Sequence, residues 1–270
     1  MWSTARGLYP APPGVREDIP GLEFAGVIEA TGERVMGILP GGGYAEKIVT
    51  PKSMVIPIPK KFNFEEAAAI PEVFLTATDA LFNQLQLKKE EKILIHAIGS
   101  GVGLAALQLA KEAGAFVFGT SGSDEKLKRA KEFGLDVAIN YKNQDFEKIA
   151  DGVDAAVDFI GAPYFEKHLN CLAVKGRLVL VGLMGGRETK VNLELILRKR
   201  LKIIGTVLRS RTVEEKTALT QSFIKNIMPL FEKGAIKPVI DSVFPLAEAA
   251  KAHAHMESNK NFGKIILKVV

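Results

Sequence analysis

The segment ILIHAIGSGVGLAALQLAKEAGA, residues 93–115, constrains the fold more than any other stretch of the chain. Its first residues are apolar without alternation, which suits a strand buried on both faces. Glycines 99, 101 and 103 then punctuate a turn, and an apolar helix is predicted over residues 104–113. A second strand, AFVFGT, follows at once. The pattern continues with a charged helix over residues 124–133 and the strands VAIN, DAAVDFI, RLVLVG and LKIIGTVL. Apolar strands alternating with helices require a parallel sheet covered on both faces, and right-handed crossovers make it doubly wound.

The flanks read differently. Residues 1–60 are rich in Gly and Pro and carry short strand-like runs at 24–29, 34–38, 44–49 and 54–58, the pattern of an irregular β domain. Residues 64–86 are Ala-rich and helical in pattern, with Pro71 interrupting them. Beyond the sheet, a helix is predicted over 214–232 with Gly234 as its stop, then a strand at IKPVI, a helix over 246–256 and a terminal strand over 264–269. The domains are expected at 1–78, 79–233 and 234–270, the last returning to the first.

The glycine turn sits where a dinucleotide would bind, because glycines admit a pyrophosphate and the helix N-terminus offers N–H groups. The spacing departs from G-x-G-x-x-G, and a turn needing glycine only for packing is the competing reading. The end of AFVFGT chooses between cofactors. NAD-preferring enzymes place an acid there for the adenosine ribose, whereas this strand runs into Ser121, Gly122 and Ser123. Asp124 comes next and is read as a helix N-cap. The small residues leave room for a 2′-phosphate, and Lys126 stands one turn along to neutralise it. NADPH is therefore expected over NADH. The alternative is that Lys126, Lys128 and Arg129 form an exposed helix face.

The composition excludes other classes. The 270 residues are 47% hydrophobic and 25% charged, with a net charge of +5 and a pI near 9.1. Basic clusters such as 198–200 are short and interrupted by acids, so a solvated surface is expected and nucleic-acid binding is not. Cys171 stands alone, so neither an internal disulfide nor a Cys-rich zinc cluster can form. No signal peptide or membrane-length apolar run is read, and a cytoplasmic protein without membrane attachment is expected.

The stretches GLYPAPPG, IPGLEFAGVI, LPGGGYAE, EEAAAIPEVFLTATDAL, LIHAIGSGVGLAALQLAK, GTSGSDEK, INYKNQDF, VDFIGAPYF, VGLMGG, LRSR and NKNFGKIIL together resemble one family. It is the zinc-independent quinone oxidoreductases of the medium-chain dehydrogenase/reductase superfamily, and the likeness covers nearly the whole chain. The resemblance implies an α/β fold in which a Rossmann doubly wound parallel sheet is inserted in a GroES-like β catalytic domain formed by the two chain ends. It implies NADPH between the domains. Ser123, Lys126 and Tyr141 would hold the 2′-phosphate, and Ser100, Gly101, Val102 and Gly103 would face the pyrophosphate, with Ser121 and Gly122 leaving space. Thr76, Gly182, Leu183, Met184, Leu208, Arg209, Ser210 and Asn261 would line the nicotinamide half. Competing readings are a core aromatic for Tyr141, a helix residue bonding its own backbone for Thr76 and a turn residue for Asn261.

The zinc-dependent relatives place a histidine in a GHE motif, where this chain has Gly21, Leu22 and Glu23. Leucine cannot ligate zinc. His253 and His255, two apart on a helix, diverge, and all four histidines are read as structural or surface residues, so no metal is expected. The chemistry is then the reduction of a small quinone by the bound cofactor, with Tyr9 and Arg209 as catalytic candidates. For Tyr9, packing as a loop aromatic is an equal alternative. The runner-up activities are reduction of an alkenal or enoyl double bond and, in a different class, an NADPH-binding sensor with impaired turnover. The apolar run LKIIGTVL, last in the sheet, invites a homodimer through paired edges.

Two departures make the catalytic domain look abbreviated. The first strands of the family have no counterpart before GLYP, and a loop and strand segment is missing between Ala30 and Thr31. A complete chain of this kind is expected to reduce quinones weakly while still binding cofactor. An incomplete one is expected to show a broken backbone at Ala30–Thr31 and an intact mass above 29.3 kDa.

Overall fold

The computed structural model describes Pro12, Val15 and residues 18–269. Contacts divide the chain into two units, one running to Thr76 and resuming at Val207, the other Ala77–Thr206. Residues 207–233, expected with the Rossmann domain, thus group with the chain ends. The reason is aromatic packing: Phe231 meets Phe62 at 6.0 Å and Phe74 at 4.7 Å between ring centroids.

The chain-end unit begins with strands β1 (Glu23–Val27) and β2 (Arg34–Ile38), paired antiparallel with Val27 opposite Arg34. Residues 28–33 close them as a hairpin, with Ile28 N donating to Glu33 O at 2.9 Å and Thr31 N to Ile28 O at 3.2 Å. The backbone across Ala30–Thr31 is therefore a continuous turn. Strand β3 (Ile56–Pro57) pairs with β2. The strand expected at 44–49 does not form. The segment leading into it is claimed by another partner, with Gly42, Gly43 and Tyr44 donating to the carbonyls of Ile19, Gly21 and Pro20.

Helix α1 (Phe64–Ala68) is opened by a capping box between Asn63 and Glu66. Pro71 starts the next helix, α2 (Pro71–Thr78), where a missing N–H costs nothing. A π-helical stretch, Asp79–Gln84, continues it. Its Asp79 carboxylate is buried and accepts from Asn83, Gln84 and, at 2.7 Å, from the Thr206 hydroxyl. The two ends of the inserted unit are thereby fastened together.

That unit is a six-stranded parallel sheet in the order β6-β5-β4-β7-β8-β9. Its strands are β4 (Lys92–Ile95), β5 (Phe116–Ser121), β6 (Val137–Asn140), β7 (Val153–Asp158), β8 (Leu172–Leu180) and β9 (Lys202–Gly205). Helices α3 (Gly101–Glu112), α4 (Asp124–Lys131), α5 (Phe146–Ile149), α6 (Phe165–Cys171) and α7 (Leu193–Lys199) connect them. The strand order reverses between β4 and β7, and in such sheets ligands bind beyond the carboxyl ends of the strands at that point.

The return to the chain-end unit uses α8 (Val213–Asn226) and α9 (Met228–Lys233), where the sequence predicts a single helix. Pro229 restarts the helix near Ile227, and Gly234 stops it at φ +75°. Strand β10 (Ile240–Pro245) lies C-terminal to the expected IKPVI and runs parallel to β11 (Lys264–Lys268), with α10 (Ala249–Glu257) between them. Among the described residues no helix is long and apolar enough to cross a membrane.

Candidate functional site

The turn from β4 into α3 is shaped for close approach. Ser100 caps α3, its hydroxyl accepting from Gly103 N at 3.0 Å. The helix starts at Gly101, so the N–H groups of Gly101 and Val102 have no acceptor within the helix. A β-carbon on Gly103 would stand 2.4 Å from the Ala97 carbonyl oxygen. Only glycine fits there, and the helix N-terminus is drawn tight against the end of β4. Such a terminus carries a partial positive charge and suits a diphosphate.

At the end of β5, the Ser121 hydroxyl accepts from Ser123 N at 3.2 Å. Ser123 is the N-cap of α4, accepting from Lys126 N at 3.3 Å. This corrects the sequence reading: Asp124 is the first helical residue, and its carboxylate accepts from Asn140 Nδ2 at 2.7 Å. The carboxylate that follows the strand end is thus occupied by a side chain. Tyr141 is no core aromatic. It is 42% exposed, and a β-carbon on Gly122 would stand 2.6 Å from its hydroxyl. Ser121, Gly122, Ser123, the half-buried Lys126 and Tyr141 are gathered in one place.

Beyond β7 and β8, two loops run side by side, joined by a bridge between Gly161 and Gly186. Gly182, Leu183 and Met184 lie on the second, and the last two side chains are 44% and 66% exposed. Asp158, the last residue of β7, is fully buried. Burial pushes its carboxyl up to about 6, against the pull of the N–H groups of Ile160, Gly161 and Phe159.

The remaining predicted residues belong to the chain-end unit. Thr76 is half-buried on α2. Leu208, Arg209 and Ser210 form a turn closed by Arg211 N donating to Leu208 O at 3.2 Å. Arg209 is 6% exposed and donates from Nε to the Pro40 carbonyl at 2.8 Å, while its own carbonyl accepts from Lys216 Nζ. Asn261 donates to the Gly263 carbonyl, a local turn contact. Tyr9 lies outside the described residues.

Sequence reasoning missed a buried polar cluster beneath the sheet's carboxyl ends. His96 Nδ1 pairs with Thr120 Oγ1 at 2.8 Å, and its Nε2 with His168 Nε2 at 2.8 Å. Phe146 and Tyr164 pack on the His96 ring at 4.7 and 4.9 Å. Burial pushes His168 down to about 3 and His96 well below the ordinary range, so both rings are neutral. One atom each of His96, Asp158 and His168 lies within 4.8 Å of the others, a grouping with metal-ligating chemistry. The two imidazoles instead use their facing nitrogens on each other. His253 and His255 do diverge, toward Tyr44 at 2.9 Å and Asp241 at 2.7 Å. The available signal was positional, since His96 and Asp158 each fall at the end of an apolar strand.

Comparison with known proteins places these features. A family described as zinc-binding dehydrogenase matches residues 101–224. The quinone oxidoreductase of Mus musculus is 34% identical over 267 residues, spanning 92% of this chain and 79% of that protein. A crystal structure of an NAD-dependent alcohol dehydrogenase is similar with a TM-score of 0.86 and 32% identity, covering 99% of this chain and 87% of that one. The quinone oxidoreductase of Thermus thermophilus, solved alone and with NADPH, has a TM-score of 0.83 and 31% identity over 93% and 81% of the two chains. With its parallel sheet, glycine turn and inserted order, the chain belongs to the quinone oxidoreductase family of medium-chain dehydrogenases/reductases.

Proposed function

We propose that this chain is an NADPH-dependent quinone oxidoreductase that works without a metal. The turn after β5 carries the cofactor reading. Ser121, Gly122 and Ser123 bring no acid, the adjoining Asp124 carboxylate is tied to Asn140, the Tyr141 hydroxyl lies against Gly122, and Lys126 follows one turn along. A 2′-phosphate fits that chemistry, and a bare ribose would lack its usual acid. The Thermus thermophilus relative's NADPH complex supports the same choice.

Bound NADPH supplies the hydride. The chain's residues bind and orient it. Gly101 and Val102 offer N–H groups to the diphosphate, Lys126 and Tyr141 hold the 2′-phosphate, and Gly182, Leu183 and Met184 line the nicotinamide half. Arg209 shapes the turn through Pro40.

The donor set argues against zinc. Leu22 cannot ligate. The Cys171 thiol is buried, and no other cysteine exists to share a metal with it. Strand β9 ends the sheet, and its outer edge is assigned to a two-fold partner. Light scattering should give a dimer.

Fluorescence titration tests the cofactor choice. NADPH should bind more tightly than NADH, and Lys126→Ala should remove about 1.5–3 kcal/mol, roughly ten- to a hundredfold, from NADPH alone. Equal affinities in the parent would sink the assignment. Turnover with quinones and enals, with and without chelator, tests the rest. Preference for enals would move the substrate to activated double bonds, and loss of activity with zinc would end the metal-free reading.

A further inference from the structure

We propose that Asp158 is a positioning residue that clamps the loops after β7 and β8 into one platform for the cofactor's nicotinamide end. The proposal rests on the reading that Gly182, Leu183 and Met184 lie along that half.

The clamp has two jaws. The side chain turns back on its own loop, Oδ1 accepting from Ile160 N at 2.8 Å and Oδ2 from Gly161 N at 2.9 Å. The main-chain carbonyl reaches across to the other loop, accepting from Val181 N at 2.8 Å and Gly182 N at 3.3 Å. The pairing then continues past the ends of the strands. Met184 N donates to Phe159 O at 3.0 Å, Gly185 N to Ile160 O at 2.7 Å, and Ala162 N to Gly186 O at 3.1 Å. The two loops are zipped as if the sheet went on.

Glycine makes the zip possible. Gly161 has φ +84°, and a β-carbon there would stand 2.6 Å from the Gly186 carbonyl oxygen and 2.8 Å from Leu183 Cδ2. Gly186 sits at φ +143°. With the inner positions given to backbone, Leu183 lays Cδ2 over Gly161 and stays partly exposed, Met184 is more exposed still, and the pair offers apolar surface to a planar ring. Unpinned, the loop carrying them would have to be ordered when ligand binds, at a cost in affinity. A carboxylate suits the pin because two buried N–H groups need two acceptor oxygens. Asparagine has the same shape and only one.

Asp158→Asn in the full chain tests this, with NADPH and its adenosine half, 2′,5′-ADP, as probes. The dissociation constant for NADPH should rise roughly tenfold, while that for 2′,5′-ADP stays within about twofold. The KM for NADPH should rise and that for the quinone stay put. Hydrogen exchange at the amides of Met184 and Gly185 should quicken. Gly161→Ala, which pries the loops apart with Asp158 intact, should reproduce the selective loss and serves if Asp158→Asn does not fold. Faster exchange with unchanged NADPH affinity overturns the clamp, as does equal loss of both probes or failure of both variants to fold. If the parent binds NADPH no more tightly than 2′,5′-ADP, the nicotinamide assignment itself has failed, and the clamp falls with it.

Discussion

One buried polar cluster from each unit makes a contrast. In the chain-end unit the cluster is built on a charged pair. Lys264 and Glu23 form an ion pair with side chains only 9% and 8% exposed, and the second Glu23 oxygen accepts from Glu72 N. Nearby, burial and then the Glu23 charge push Glu72 up to about 7, and the same two causes push Tyr44 up to about 12. In the inserted unit the cluster around His96 is neutral, with Thr120 and His168 as its partners. A charged set is fragile to loss of one member, because the orphan keeps its charge. A neutral set loses only a hydrogen bond.

Lys264→Met should therefore be the most damaging single change, at about 3–5 kcal/mol by urea unfolding, since it strands the Glu23 carboxylate. Pairing it with Glu23→Leu should recover much of that loss. A double variant as unstable as the single one would mean that the pair itself, not the orphan, sets stability. His168→Leu in the inserted unit should cost less, about 1–3 kcal/mol, for the unpartnered His96 nitrogen. Should it cost more than Lys264→Met, the contrast between the units is wrong.

The pH dependence sharpens the contrast, because the signs differ. His168 is held at about 3 against a usual 6.5. Between those values the native state binds fewer protons, so the contribution of this group is complete above 6.5 and drains away as pH falls toward 3. Glu72 is raised to about 7 from 4.5. There the native state binds more protons, so its contribution is complete below 4.5 and drains away as pH rises through 7. Melting temperatures across pH should flatten on the acid side for His168→Leu and on the neutral side for Glu72→Gln. Parent-like slopes in both would remove these groups from the account.

The parallel sheet was legible because its strands are apolar on both faces and the helices between them are regular. The turn chemistry at Ser100, Gly103 and Ser123 could be read in type, though Asp124 looked like the cap until Asn140 was seen to claim it. The β region is less legible. Residues 44–49 carry strand-like composition, but a strand needs a partner, and the backbone just before them is bonded to residues 19–21. The His96–His168 pair was hidden for another reason. The two residues are brought together only by the crossover from β4 to β7, and local spacing has no record of it. The bond from Arg209 Nε to the Pro40 carbonyl spans 169 residues of sequence and leaves no trace in local spacing.

The bond between Asp79 and Thr206 gives the inserted unit the topology of a closed ring. To the chain that carries it, a whole domain occupies little more than the span of a hydrogen bond. Sequences with their ends so joined tolerate excision and circular permutation, because cutting elsewhere leaves the junction intact. The Rossmann sheet of this protein is in that sense a cassette, and the π-helical turn that carries Asp79 is its clasp.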